Sequence, residues 1–155
     1  MELIPSFKVD HTKLIPGIYE SRVDIIDNNY VTTFDIRMKR PNIEPCVEPA
    51  AMHTIEHIIA TFLRSDDEWK EKIVYWGPMG CMTGSYLIVK GRPTSKEILP
   101  LMIRAFEYAA NFEGDIPGAT AESCGNYKFQ DLDKAKEEAG IYLEVLKTNP
   151  GLRYQ

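Results

Sequence analysis

Val31-Thr-Thr-Phe-Asp-Ile-Arg-Met38 alternates and is rich in β-branched residues, which is the pattern of a half-buried strand, and it comes to a stop at Pro41. Asp35 and Arg37 share one face of that strand. Upstream, Ile18 to Ile26 supplies a hairpin partner, with Asp27-Asn28-Asn29 as the turn between them. Downstream, Ile73-Val-Tyr-Trp76 and Tyr86-Leu-Ile-Val89 read as two more strands, joined by the glycine-rich loop Gly77-Pro-Met-Gly-Cys-Met-Thr-Gly84. Three helical stretches account for much of the rest. The first follows Pro49, which suits a first helical turn, and turns Met52, Ile55, Ile59 and Phe62 toward a core. The second starts at Thr94 with a capping box completed by Glu97 and runs to about Phe112, with a kink expected at Pro100. The third begins near Asp131 and marks its buried face with Leu132, Ala135, Ala139, Tyr142, Leu143 and Leu146. Together these elements predict an α+β fold, an antiparallel sheet of about four strands packed against helices on one side.

With 155 residues and 44% hydrophobic content, the chain is expected to form one domain with a real core. A formal charge of −5 and the lack of any basic run argue against nucleic acid or an anionic membrane as partner, and favour a small substrate or a protein. No stretch approaches the roughly 18 apolar residues of a membrane span, and the first residues lack the pattern of an export signal, so a cytoplasmic protein is expected. Cys46, Cys81 and Cys124 are odd in number and widely spaced, which suits free thiols, metal ligands or nucleophiles better than a disulfide framework.

The chemistry gathers at His53-Thr54-Ile55-Glu56-His57 on the first helix. Positions i, i+3 and i+4 project from one side, so His53, Glu56 and His57 form a cluster, and two imidazoles four apart can grip one metal ion. The same stripe continues through Ala60 to Arg64. A catalytic metal usually takes three protein ligands and an open position. For the third ligand Cys124, in the loop Ala121-Glu-Ser-Cys-Gly-Asn126, is the best candidate, with His11 and Cys81 as rivals. Cys81 has glycines to either side in a loop that exposes it, where a nearby cation would favour the thiolate that acts as base or nucleophile. Cys46 lies among Glu44, Pro45 and Glu48, whose charge disfavours a thiolate, and is assigned no role.

Five segments then coincide in order and spacing with a known family. Ser6-Phe7-Lys-Val-Asp10-His11, Phe34-Asp-Ile-Arg37, His53-Thr-Ile-Glu-His57, Gly77-Pro-Met-Gly-Cys81-Met-Thr-Gly84 and Cys124-Gly125 resemble those of the S-ribosylhomocysteine lyases, the LuxS family, over nearly the whole chain. The resemblance implies a single metalloenzyme domain over residues 1–155, acting as a cytoplasmic homodimer with active sites at the subunit interface. It implies one divalent metal per subunit, Fe²⁺ in the working enzyme with Zn²⁺ or Co²⁺ able to substitute, held by His53, His57 and Cys124. The implied reaction splits S-ribosylhomocysteine into homocysteine and 4,5-dihydroxy-2,3-pentanedione, precursor of the quorum-sensing signal autoinducer-2. Cys81 and Glu56 would be the catalytic residues. Ser6, His11 and Arg37 would contact substrate, and Arg64 would meet the homocysteine carboxylate. The chain departs from the family at Val74-Tyr75-Trp76-Gly77, where members often carry Ile-Asp-Ile-Ser, and at Met82 and Ser85.

Two other readings follow from the residues. His-x-x-Glu-His also serves inverted zinc peptidases, in which Glu122 would be the third ligand, and a His, Cys and Met set can hold copper for electron transfer. The peptidase gives Cys81 no task, and the copper module gives it one only as a ligand.

Overall fold

A computed structural model describes residues 1–155 and contains four strands and three helices, after a single 3-10 turn at Pro5–Phe7. The strands are β1 (Gly17–Ile26), β2 (Asn29–Arg37), β3 (Ile73–Pro78) and β4 (Gly84–Lys90), and the helices are α1 (Pro49–Leu63), α2 (Ser95–Ala110) and α3 (Leu132–Thr148). All pairings are antiparallel, in the spatial order β1-β2-β4-β3. The expected α+β architecture is therefore present. The β1–β2 hairpin turns on Asp27 and Asn28, both at positive φ, a conformation that Asp and Asn tolerate better than most residues.

The two faces of the sheet have different neighbours. Ile18, Phe34, Ile36, Leu87 and Val89 join α1, α2 and α3 in one hydrophobic core. Burying side chains of this size contributes about 1.5–3 kcal/mol each relative to leaving them in water. On α1 the core takes Met52, Ile55, Ile58, Ile59 and Leu63, and His53, Glu56 and His57 are left half-buried on a neighbouring stripe. The helix thus has one apolar face for the fold and one polar face for chemistry. Helix α2 opens with the expected capping box between Thr94 and Glu97 and continues unbroken through Pro100.

Helix α3 packs on α1 and α2 and reaches the sheet through side chains and the segment beyond it. Tyr142, fully buried, donates to the carbonyl of Gly17 at 2.7 Å and meets the ring of Phe106 edge-on. Lys39, just beyond β2, forms a nearly buried ion pair with Glu138 at 2.5 Å. Beyond α3 the chain returns to β1, where Gly151 bridges to Gly17. A Cβ at either glycine would overlap its neighbours, so only glycine permits this close pass. No helix is long and apolar enough to cross a membrane.

Removing one partner of a nearly buried ion pair strands the other charge. Glu138→Ala should therefore lose about 3 kcal/mol in urea unfolding, whereas replacing Lys39 and Glu138 together by Met and Leu should cost much less.

Candidate metal centre and thiol cleft

The α1 stripe and the loop before α3 build the first cluster. Nε2 of His53 and Nε2 of His57 lie 3.0 Å apart, and Sγ of Cys124 is 3.5 Å from Nε2 of His53. All three ligand atoms fall within 4.8 Å of one another, so this group can hold one metal ion.

The far side of each ring explains why. Nδ1 of His53 lies 2.5 Å from the carbonyl of Phe129, and Nδ1 of His57 lies 2.7 Å from that of Pro117. A carbonyl only accepts, so each Nδ1 carries the proton and donates it. Both Nε2 atoms then present lone pairs to each other and to the Cys124 sulfur. Such an arrangement lacks a positive centre, and a divalent cation supplies one, with the second-shell carbonyls fixing tautomer and ring angle. The donor set therefore fits a metal of the zinc and iron class.

The loop is folded for this purpose. Gly118, beside the imidazole of His57, turns the loop at φ +68°, a conformation in which any other side chain is strained. Thr54, buried on α1, donates to the side-chain oxygen of Gln130 and accepts from the amide of Asp131, tying the start of α3 to the helix that bears both histidines. The amide of Cys124 is held by the carbonyl of Thr120. Glu56 is half-buried on the metal-facing stripe and belongs to none of the chain's ion pairs, so its carboxylate is uncommitted.

A second cluster forms on the sheet face turned away from the helices. Ser6, His11, Arg37 and Cys81 line one open cleft of about 580 Å³, together with Thr83, Tyr86 and Cys46. Cys81 sits in a tight loop pinned by backbone bonds from Met79 to Gly84, from Met82 to Met79, and from Val47 to Met82. Met82 is forced to φ +57° to make that turn.

Arg37, 3% exposed, is bound by both oxygens of Asp35, Nε at 3.0 Å and Nη2 at 2.7 Å. Its remaining nitrogen, Nη1, donates to the hydroxyl of Thr83 at 2.7 Å and approaches Sγ of Cys81 at 4.0 Å. Because Thr83 accepts from Arg37, its own proton is free for Sγ of Cys81, 3.1 Å away. Burial alone would raise the Cys81 thiol, but the hydroxyl and amide of Thr83 and the charge of Arg37 outweigh it, and the thiol lies below its ordinary value.

Four predicted residues thus converge here, and three others at the metal cluster. None of the metal-side residues lines the Cys81 cleft. Arg64 is elsewhere, donating to the carbonyls of Ile73 and Val74 at 3.2 and 3.1 Å. Sequence reading passed over Thr83, Asp35 as the partner of Arg37, and Tyr154, whose hydroxyl donates to Asp35 at 2.8 Å. Asp35 and Arg37 were legible as neighbours on one strand face. The other two reach the site only through pairing across the fold.

Comparison with known proteins gives a consistent result. The sequence profile of the S-ribosylhomocysteinase (LuxS) family matches residues 4–150. An S-ribosylhomocysteine lyase of Phocaeicola vulgatus is 54% identical over 95% of this chain and 92% of its own. One from Desulfotalea psychrophila is 56% identical over 94% and 92%, and one from Porphyromonas gingivalis 51% identical over 99% of both.

After chelation, the chain should take up one equivalent of Co²⁺ or Zn²⁺. His57→Ala and Cys124→Ala should each weaken binding by at least about a hundredfold in a metal titration. Thr83→Val should move the pH midpoint for alkylation of Cys81 upward by about one unit while leaving metal uptake intact.

Proposed function

The chain belongs to the S-ribosylhomocysteinase (LuxS) family, and from that premise we propose that residues 1–155 act as one metalloenzyme domain that cleaves S-ribosylhomocysteine to homocysteine and 4,5-dihydroxy-2,3-pentanedione. The observation that carries the metal dependence is the pair of Nε2 lone pairs turned toward each other with the Cys124 sulfur beside them. His53, His57 and Cys124 are the ligands in this reading. The metal is Fe²⁺ in the working enzyme, replaceable by Zn²⁺ or Co²⁺. When bound it supplies Lewis acidity toward the oxygens of the opened sugar.

The thioether bond at C5 of the ribose is inert until a carbonyl at C3 makes the C4 proton acidic, so the carbonyl must travel along the sugar. Cys81 enters as thiolate, takes the proton from C2 and returns it at C1, which moves the carbonyl from C1 to C2. A second proton transfer of the same kind moves it to C3. Glu56, uncommitted to any cation of the chain, shuttles protons among the sugar oxygens. Loss of the C4 proton then expels homocysteine by β-elimination. Arg37 and Thr83 keep Cys81 charged between transfers, and Ser6 and His11 hold substrate hydroxyls. Arg64, whose guanidinium also donates to the carbonyls of Ile73 and Val74, meets the homocysteine carboxylate in this reading.

One chain does not bring these parts together. The Cys81 cleft and the metal cluster share no residue, and Phe7 and Tyr75 stand exposed near the sheet face that carries the cleft. A second copy covering that face would hide apolar surface and set its own metal cluster against Cys81. We therefore read the working enzyme as a homodimer with two sites at the interface, operating in the cytoplasm. Of its two products, the pentanedione is the autoinducer-2 precursor and homocysteine is released for recycling.

Fe²⁺-loaded protein incubated anaerobically with S-ribosylhomocysteine should release homocysteine, detected with a thiol reagent. Cys81→Ala and Glu56→Gln should each lose at least about 10²-fold in rate while keeping the metal. Mixing inactive Cys81→Ala with inactive His57→Ala and allowing subunit exchange should restore about a quarter of wild-type activity, since half the dimers are mixed and each has one intact site. No recovery after verified exchange would place both clusters in one chain.

A further inference from the structure

The segment that follows α3 ends its path inside the charge network of the thiol cleft, although it contributes nothing to the cleft wall. Tyr154 lies flat against Tyr19, ring centres 4.8 Å apart and planes 6° from parallel. Its hydroxyl donates to Oδ2 of Asp35, the same oxygen that accepts Nη2 of Arg37. The close pass of Gly151 over Gly17 delivers the segment to this spot.

The geometry points to Tyr154 as a positioning residue for Cys81, acting through Asp35, Arg37 and Thr83, and this rests on the reading of Cys81 as the proton carrier. The physical basis is how Asp35 divides its charge. A carboxylate that shares Oδ2 with a hydroxyl proton draws less strongly on the guanidinium beside it. More of the Arg37 charge is then available at Nη1, the nitrogen that faces Thr83 and Cys81. Without the hydroxyl, Asp35 and Arg37 neutralise each other more completely and the thiolate loses support. Burial, and then the charge of Asp35, keep the Tyr154 phenol protonated far above neutral pH, so it remains a donor throughout the working range.

The groups that face Cys81 from packed segments are Arg37 with Asp35 behind it on β2, Tyr86 on β4, His11 from the N-terminal segment, and Glu44 and Cys46 from the stretch before α1. Of these, Asp35 is the one hydrogen-bonded to Tyr154. A change at the Tyr154 hydroxyl therefore reaches the thiol through the Asp35–Arg37 pair.

The test is Tyr154→Phe, which keeps the ring stack and removes only the donor. The rate of alkylation of Cys81 by iodoacetamide is followed against pH in the full chain, with the Cys81 adduct read by peptide mass. The midpoint should rise by about half a unit, so that alkylation below it slows roughly threefold. The acid limb of the kcat profile should move by the same amount with KM unchanged. Tyr19→Phe serves as the structural comparison, since the Tyr19 hydroxyl donates to Ile15 and not to Asp35. It should leave the midpoint at the wild-type value. An unmoved midpoint in Tyr154→Phe, or an equal shift in both variants, overturns the proposal. Full turnover by Cys81→Ala would instead overturn the role of Cys81, a result distinguishable because alkylation reads the thiol and not the reaction.

Discussion

A guanidinium and a carboxylate two residues apart on β2, both almost without solvent contact, are what the thiol side of this protein is arranged around. Removing such a pair from water is costly, and it persists only where the remaining donors and acceptors are also met. Here they are met from three directions. Asp35 occupies two nitrogens of Arg37 and accepts from Tyr154, and Thr83 takes the outward-facing nitrogen. The result is a fixed positive charge next to an accessible thiol, with its orientation set by strand pairing instead of by a mobile side chain.

The metal side is built on a different principle. A helix sets the spacing of His53 and His57 with no help from elsewhere, but it does not set which ring nitrogen is free. That choice comes from two loop carbonyls, at Pro117 and Phe129, on either side of the Cys124 turn. The loop therefore brings a third donor atom and at the same time selects the tautomers of the two histidines. Rigid scaffold and shaped loop divide the work, as expected where a metal needs both spacing and orientation.

Much of this was legible in the amino-acid order because it depends on short periods. Alternation at Val31–Met38 and the helical stripe at His53–Arg64 are local patterns, and the strands, the helices and the His pair follow from them. Cys124 was preferred to His11 and Cys81 as third ligand from its glycine-bounded loop, and family likeness pointed the same way, but spacing could not decide it, because loop closure over about 70 residues leaves no periodic trace. Thr83 and Tyr154 were missed for a related reason. A threonine beside a cysteine and a tyrosine far along the chain look ordinary until β2 pairs with β4 and the segment after α3 crosses Gly17. The partners of Arg64 were not legible either, since its guanidinium donates to the carbonyls of Ile73 and Val74 after the chain has turned back along α1.

The strand order β1-β2-β4-β3 also separates a short chain closure from a long one. The β1–β2 hairpin closes over two residues, whereas pairing Arg37 with Gly84 closes a loop that contains all of α1 and β3. The longer closure costs about 3 kcal/mol more in chain entropy, and such non-local pairings slow folding. Cys81 lies at the Arg37–Gly84 end of that pairing, so its cleft comes into being only when the long loop shuts. The two histidines acquire their spacing as soon as α1 coils. The thiol cleft thus depends on the long closure, whereas the spacing of the two histidines depends on α1 alone.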